Sequence, residues 1–205
     1  MKIFIDFDDS LFNTKKFRDQ LINIFLKNGV SRKDFLKTYY DYPRKTSHGL
    51  KKYDPIKQID FLAKKRGFDG KKLKHDLDRL VLNSSEFVFD DTRIFLNNFE
   101  KNNLILISFA KTKFQCDKIK YSGLTDYFSK VIVSDKMKAE EVAKVTKNKK
   151  TLIFFIDDRA DQIGPVKDIF PDSVTFLLKR KEGRYNSKKT KLVDFEIKNL
   201  KEAKK

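Results

Sequence analysis

The sequence predicts an α/β fold: a doubly wound, Rossmann-like and mostly parallel sheet with an inserted α-helical cap. Short apolar runs alternate with segments of helical periodicity, and runs that are apolar on both faces are typical of buried parallel strands. Acidic pairs follow two of these runs, where the ligand-binding loops of such sheets lie. The length of 205 residues suits one substantial domain with a small insertion.

Six apolar segments are predicted to contribute strands. They are residues 3–7, 104–108, 131–133, 152–156 and 173–178, with a short edge strand within 192–197. Strands that alternate with helices are joined by right-handed crossovers, which makes the sheet parallel. We therefore expect the functional site at the carboxyl ends of these strands.

The long segment between the first and second strands has helical periodicity instead of strand patterns. The recurring apolar positions are Phe17, Leu21, Ile24, Phe25, Ile56, Ile59, Phe61, Leu62, Leu73, Leu77 and Leu80. Residues 14–90 are thus predicted to form the cap, residues 1–13 and 91–205 the core, and residues 92–101 the first helix after the cap. Such a lid excludes water and selects substrates.

Two pairs of carboxylates follow predicted strands. Asp6 and Asp8 stand at i and i+2, which places both on the same side of an extended chain. Asp157 and Asp158 follow the run 152–156 in the same way. Neighbouring anions repel unless a proton or a cation lies between them, and Mg²⁺ prefers oxygen ligands of this kind. The sequence therefore predicts that the two pairs meet around one magnesium ion.

Other polar residues at strand ends suit phosphoryl transfer. Ser108 ends the run 104–108, and its hydroxyl is able to donate a hydrogen bond to a phosphate oxygen. After the run 131–133 come Lys136 and Lys138, and a lysine there neutralises the negative charge that develops during the reaction.

These residues resemble the four motifs of the haloacid dehalogenase (HAD) superfamily of phosphohydrolases, in the family's order. The first motif matches residues 6–10, the second Ser108, and the fourth Asp157 with Asp158. The third is a lysine before a helix and best matches Lys138, with Lys136 as the alternative. The resemblance extends from residue 2 to about residue 178, and the insertion resembles the family's helical type-one cap.

The resemblance implies a Mg²⁺-dependent phosphomonoester hydrolase that forms an aspartyl-phosphate intermediate. Asp6 would be the nucleophile, and Asp8 would act as general acid and then as general base. Ser108 and Lys138 would bind the phosphoryl oxygens of a phosphorylated small molecule.

The resemblance also implies the metal ligands. Asp6, Asp158 and the backbone carbonyl of Asp8 would hold Mg²⁺, and Asp157 would act through a water molecule or as support.

Two positions depart from the family pattern. Asp9 stands where the family usually has glycine, and Ser10 replaces the usual threonine. Serine keeps the hydroxyl, so Ser10 is expected to contribute to substrate binding. The additional carboxylate of Asp9 would either strengthen metal binding or oppose an anionic substrate.

Positions 39–45 in the predicted cap contain both aromatic and basic residues. Tyr42 and Arg44 are predicted to bind substrate, because an aromatic ring stacks on a base or sugar and an arginine grips a phosphate. The alternative is that the tyrosines of this stretch pack on the interior of the cap.

The formal net charge of +17 permits two interpretations. A basic chain attracts polyanions, so nucleic acid is a candidate partner. The chain would then be a phosphatase that acts on nucleotides or nucleic-acid ends, or a polyanion-binding protein without catalysis. However, only nine of the 46 basic residues are arginine, and the Lys, Asn, Ile and Phe content is what an AT-rich genome encodes.

Several classes of protein are disfavoured by the sequence. No apolar run approaches the length of a membrane span, and Asp6 interrupts the first apolar stretch, which is unlike a signal peptide. A single cysteine, Cys116, forms no internal disulfide, which favours a cytoplasmic location. A receiver domain needs its phosphoacceptor aspartate on the third strand, whereas the run 131–133 is followed by serine.

Overall fold

The computed structural model describes residues 1–41, 44–45, 51–146, 148 and 150–203. Its main element is a six-stranded sheet in which every pair of neighbours is parallel. The strands are β1 (Lys2–Ile5), β4 (Leu104–Phe109), β5 (Lys130–Ser134), β6 (Ile153–Asp157), β7 (Val174–Leu178) and β8 (Phe195–Ile197). A two-residue antiparallel pair, β2 (Arg44–Lys45) and β3 (Lys51–Lys52), lies in the insertion. The predicted doubly wound α/β class is confirmed.

The strand order across the sheet is β5-β4-β1-β6-β7-β8, so the direction of winding reverses at β1. Open α/β sheets bind ligands beyond the carboxyl ends of the strands at such a reversal. The register places Ile5 of β1 opposite both Leu106 of β4 and Ile156 of β6. Asp6 and Asp157 each follow a member of the Ile5–Ile156 pair, and the register therefore brings them side by side.

Helices occupy the connections between the strands. They are α1 (Thr14–Lys27), α2 (Arg32–Asp41), α3 (Pro55–Arg66), α4 (Gly70–Leu82), α5 (Asp90–Leu96), α6 (Lys113–Tyr121), α7 (Lys138–Val145) and α8 (Ala160–Ile169). The predicted extent of the helix at 92–101 is wrong, since α5 begins at Asp90 and ends at Leu96. Asn97 and Asn98 follow, and asparagine competes with helical hydrogen bonding through its own side chain.

Capping residues define the helices of the insertion. The side chains of Asn13, Asp54 and Asp69 accept hydrogen bonds from the first backbone amides of α1, α3 and α4. Pro55 occupies the first turn of α3, where its missing N–H costs nothing, and Gly67 ends that helix in the left-handed conformation with φ 72°. The helical character of the insertion is thus encoded locally.

The insertion packs directly on the core, and one apolar cluster includes residues of both. Within it the ring of Phe12 lies 5.4 Å from that of Phe17, and the ring of Phe17 lies 5.9 Å from that of Phe114. Phe12 precedes the insertion, Phe17 belongs to α1, and Phe114 belongs to α6. This packing fixes α1 beside the carboxyl end of β1. The predicted boundaries of the cap at residues 14 and 90 stay a prediction.

Among the residues that the structure describes, no helix combines the length and the apolar character that a membrane span requires.

Candidate active site

Three buried carboxylates converge at the carboxyl ends of β1 and β6. Oxygen atoms of Asp6, Asp157 and Asp158 lie within 4.8 Å of one another. The backbone of Asp6 is anchored by its amide, which donates to the carbonyl of Ile156 at 3.0 Å. Acids from opposite ends of the chain therefore meet in one small volume, as the sequence predicts.

Lys138 lies between two of these acids. Its Nζ donates to Oδ1 of Asp6 at 2.5 Å and to Oδ2 of Asp157 at 2.6 Å, and its side chain is buried. The lysine begins α7, in the connection that follows β5. Lys136, the alternative for the third motif, is exposed. The structure thus brings Lys138, and not Lys136, to the acidic cluster.

The cluster has an excess of negative charge that burial makes unfavourable. Burial raises the pKa of Asp6 to about 7 against the opposing effect of Lys138, and the charge of Asp157 adds to the increase. Burial, together with Asp6 and Asp157, raises the pKa of Asp158 well above its usual value. Oδ2 of Asp158 is buried and has no hydrogen-bond partner in the described part of the chain. Three carboxylates and one ammonium leave a formal charge of −2, so the donor set fits a divalent cation with oxygen ligands.

The side chain of Asp8 lies beside this cluster but is held by other groups. Its Oδ1 accepts from Thr14 Oγ1 at 2.9 Å and from Lys118 Nζ at 2.7 Å, and its Oδ2 accepts from Gln115 Nε2 at 2.6 Å. Burial opposes ionisation, but Lys118 and Arg184 together lower the pKa of Asp8 to about 2. The carboxylate of Asp8 is thus ionised and fixed in orientation, and it does not belong to the cluster of Asp6, Asp157 and Asp158.

Lys118 is a buried lysine in the middle of α6. Its ammonium lies 5.0 to 5.7 Å from the ring centres of four phenylalanines, Phe7, Phe12, Phe17 and Phe114. Aromatic faces attract a cation at such distances, and the attraction grows when water is excluded. The cation is therefore stabilised by the rings on one side and by Asp8 on the other.

Ser108 lies on β4 and is almost fully buried. Its Oγ accepts a hydrogen bond from Gln115 Nε2 at 2.9 Å, and the same Nε2 donates to Asp8. Gln115 therefore links the hydroxyl of Ser108 to the carboxylate of Asp8.

Asp9, the departure from the family pattern, is fully buried and has φ 59°, in the left-handed region. Its Oδ2 accepts from Arg184 Nε at 2.5 Å. Burial raises the pKa of Asp9, and Arg184 opposes the increase. Arg184 belongs to the loop between β7 and β8, so the additional carboxylate is paired with a cation from the far end of the chain.

Ser10 is also fully buried, and it does not line the cavity described below. Its backbone carbonyl accepts from Arg180 Nε at 2.8 Å, and the rest of the Arg180 guanidinium binds both carboxylate oxygens of Asp91. The position of Ser10 thus anchors the loop after β7, while its predicted contact with substrate stays a prediction.

The predicted substrate-binding stretch of the cap is described only in part. Tyr42 lies outside the described residues, and Arg44 is the first residue of β2. Tyr39 packs against Phe35 and Tyr53, with ring centres at 5.7 and 4.5 Å, and it also lines the cavity. Tyr39 therefore both packs on the interior of the insertion and forms part of the cavity wall.

A cavity of about 150 Å³ opens onto the acids. The core contributes Asp6, Asp8, Lys138 and Asp158 to its wall, and the loop after β7 contributes Arg184 and Tyr185. The insertion contributes Thr14, Phe17, Arg18, Leu21, Tyr39 and Tyr53. The cavity therefore lies between the predicted cap and the core, and the reactive groups form part of its wall.

Sequence reasoning missed Lys118, Gln115 and Arg184. The apolar pattern of α6 places Lys118 next to Ile119 on its buried side, which is the one local signal for a lysine with a special role. Arg184 carries no comparable signal, because it lies in a basic loop without periodicity.

Comparisons with known proteins agree with this geometry at the level of the fold. No family model and no curated protein matches the chain. Among solved structures, a protein described as a haloacid dehalogenase-like hydrolase from Burkholderia xenovorans LB400 is similar, with a TM-score of 0.76 and 14% identity, over 98% of this chain and 95% of that one.

Three further structures match with the same coverage of this chain. The HAD-hydrolase YfnB from Bacillus subtilis, bound to magnesium, has a TM-score of 0.60 at 14% identity over 96% of its chain. A predicted phosphoglycolate phosphatase from Haemophilus somnus 129PT has a TM-score of 0.59 at 11% identity over 95% of its chain. An L-2-haloacid dehalogenase from Xanthobacter autotrophicus also matches. The chain therefore has the fold of the haloacid dehalogenase-like hydrolases.

Proposed function

We propose that this chain is a Mg²⁺-dependent phosphomonoester hydrolase in which Asp6 is the nucleophile. The observation that carries the proposal is the convergence of Asp6, Asp157 and Asp158 with the ammonium of Lys138 at the end of a cavity. A divalent cation bound there would neutralise the charge of a phosphoryl group and polarise it toward attack.

The chemistry divides into two displacements. In the first, a carboxylate oxygen of Asp6 attacks phosphorus and the bond to the ester oxygen breaks. That oxygen leaves as an alcohol by taking a proton from the protonated form of Asp8, which must first gain that proton from solvent because its resting form is the carboxylate. In the second, water attacks the aspartyl-phosphate and gives its proton back to Asp8, which releases inorganic phosphate and regenerates Asp6. The ionised and oriented carboxylate of Asp8 supports the second step most directly.

The remaining groups would bind and orient. Lys138 fixes the carboxylate of Asp6 and adds positive charge where the equatorial oxygens of the phosphoryl group build up negative charge. Ser108 would donate its hydroxyl to a phosphoryl oxygen, in place of its present weak contact with the carbonyl of Phe109 at 3.2 Å.

Structures with this fold include dehalogenases as well as a phosphatase, and the acidic cluster favours the phosphatase. A carbon–halogen bond offers no oxygen to a cation held by carboxylates, whereas a phosphoryl group offers three. A phosphatase of nucleotides or nucleic-acid ends is a second candidate, favoured by the net charge of +17. The small volume of the cavity supports compact esters over nucleotides.

The proposal is tested by turnover of an aryl phosphate with and without Mg²⁺. We expect Mg²⁺-dependent hydrolysis that falls at least about a hundredfold in Asp6→Asn. Asp19→Asn, an exposed aspartate of α1, is the matched control and should keep full activity. Unchanged turnover in Asp6→Asn would exclude Asp6 as the nucleophile.

Turnover and binding measurements distinguish a phosphatase of small esters from the second candidate, a phosphatase of nucleotides or nucleic-acid ends. A mononucleotide and a 5′-phosphorylated oligonucleotide are compared with small phosphate esters, and retention on single-stranded DNA is measured over a range of salt concentrations. Preferred turnover of the oligonucleotide together with salt-sensitive retention would favour a nucleic-acid substrate.

A further inference from the structure

One face of α1 forms a wall of the cavity. Thr14, Phe17, Arg18 and Leu21 follow one another at the three- and four-residue spacing of a helix face, and all four line the cavity. Phe17 and Leu21 also belong to the apolar cluster, and the hydroxyl of Thr14 donates a hydrogen bond to Asp8. Arg18 has neither of these roles.

Arg18 differs from the other cations of the cavity because it has no acidic partner within the described part of the chain. Lys118 is paired with Asp8, Lys138 with Asp6 and Asp157, Arg159 with Asp161, and Arg184 with Asp9. The ion pairs of the described residues include none to Arg18. Each of the other cations already has a carboxylate, so Arg18 is the cavity cation that has no carboxylate partner among the described residues and is open to an anionic ligand.

The buried Nε of Arg18 also lacks a hydrogen-bond acceptor among the described residues. Buried donors are almost always satisfied in folded proteins, so an orphaned one requires an explanation. A ligand that carries an acceptor into the cavity provides one.

The position of Arg18 defines where that acceptor lies relative to the reaction. Thr14 Oγ1 donates to Asp8 Oδ1 at 2.9 Å, and Arg18 follows Thr14 by four residues, just over one helical turn and an axial rise of about 6 Å. Arg18 therefore stands about one turn from the acids, on the wall that the insertion contributes. A phosphate ester with its phosphorus at Asp6 would extend its leaving group along this wall.

We propose that Arg18 binds a second anionic group on the substrate, which makes the substrate a compact phosphate ester that also carries a carboxylate or a second phosphoryl group. A guanidinium suits either group because its parallel N–H donors match two oxygens at once. The cavity of about 150 Å³ limits the spacer between the two anions to a few atoms. This inference rests on the proposed function and names the substrate class for the same site.

Binding of unreactive phosphonates tests the inference without turnover. Isothermal titration calorimetry in the presence of Mg²⁺ measures the affinity for three ligands. Propylphosphonate has one anionic group, 3-phosphonopropanoate adds a carboxylate, and propane-1,3-diylbisphosphonate adds a second phosphonate. Comparing the last two distinguishes a site for a carboxylate from a site for a second phosphoryl group. The wild-type protein should bind one of the two-anion ligands at least about tenfold more tightly than propylphosphonate. Arg18→Gln should remove this preference and leave the affinity for propylphosphonate unchanged.

Two variants serve as controls. Arg18→Lys keeps the charge without the planar fork and should retain part of the preference. Arg32→Gln removes an exposed arginine of α2 and should retain all of it. Thermal melting of each variant shows whether the fold is intact.

Equal affinity of the wild-type protein for all three phosphonates, no binding of any of them, or a preference that survives in Arg18→Gln would overturn the inference. Its failure is distinguishable from failure of the proposed function. Aryl phosphates have no second anion, so Asp6-dependent turnover of an aryl phosphate without phosphonate preference removes this inference alone. An Arg18-dependent preference without such turnover would leave Arg18 as a binding residue for a second anion and would remove the phosphatase activity.

Discussion

The ammonium of Lys118 lies 2.7 Å from Oδ1 of Asp8, and both side chains are largely withdrawn from water. Removing one member of a buried ion pair leaves the other charge uncompensated, which costs more than the pair itself contributes. The pair is therefore a structural as well as a chemical feature of the site.

Replacing Lys118 by methionine keeps a long apolar side chain among the phenylalanine rings but removes the charge. We expect the free energy of unfolding to fall by about 3 kcal/mol, and the proposed phosphatase activity to fall as well, because Asp8 loses its orientation. Urea denaturation measures the first effect. Lys120→Met, at an exposed position of the same helix, should cost less than about 0.5 kcal/mol.

The double variant Lys118→Met/Asp8→Asn gives the sharper result. It should recover much of the lost stability, since the uncompensated charge is gone. Additive losses in the double variant would show that the two residues are not coupled.

Mg²⁺ should stabilise the fold, because it would bind the acidic cluster in the native state only. At a hundredfold excess over its dissociation constant the gain is about 2.7 kcal/mol, which is visible as an increase in the melting temperature. Asp158→Asn should abolish the increase, and Asp168→Asn, an exposed aspartate of α8, should leave it unchanged. A full Mg²⁺ effect in Asp158→Asn would contradict the assignment of Asp158 as a ligand.

The Asp9–Arg184 pair should hold the loop after β7 against the site. Asparagine tolerates the left-handed backbone of Asp9, so Asp9→Asn removes the charge without introducing strain. We expect trypsin to cleave after Arg184 several times faster in this variant than in the wild-type protein, because a released loop opens more often. Asp126→Asn is the surface control, and equal cleavage rates in all three proteins would refute the tether.

The pH dependence of stability should include a contribution from Asp194. Its carboxylate accepts from Lys167 Nζ at 2.8 Å and from both the amide and the hydroxyl of Thr175, at 2.8 and 2.9 Å. Burial opposes ionisation, but these donors lower the pKa of Asp194 in the folded state. A lowered carboxyl pKa gives stability that is fully present above the unfolded value of about 3.9 and is lost as the pH falls through the folded value.

Asp194→Asn should therefore be less stable than the wild-type protein by about 1 kcal/mol at pH 7, a figure that allows for the partial exposure of this pair. The difference should shrink below about pH 4, where the wild-type carboxyl becomes protonated. Denaturant titrations of both proteins at several pH values measure it. A difference that is constant from pH 7 to pH 3 would rule out an ionic origin.

The acidic cluster could be predicted from sequence patterns, because the register of neighbouring parallel strands brings the acids at their ends together. Asp6 and Asp157 each follow an apolar strand, and two adjacent parallel strands end at the same edge of the sheet. Lys138 was preferred to Lys136 through the family resemblance, whose third motif is a lysine before a helix. The helices of the insertion could also be predicted, because apolar periodicity and capping residues are local properties of the chain.

The partners of Asp8 and Asp9 could not be predicted in this way. Lys118 is 110 positions from Asp8, and Arg184 is 175 positions from Asp9. The position of Lys118 next to Ile119 on the buried side of α6 is a local signal that this lysine is withdrawn from water, but it does not indicate which acid the lysine faces. The sequence alone determined the sheet, the helices and the acids at the strand ends, because these depend on short-range periodicity. Only the tertiary structure decided which cation faces which carboxylate, because that choice depends on side chains that approach through the interior from distant parts of the chain.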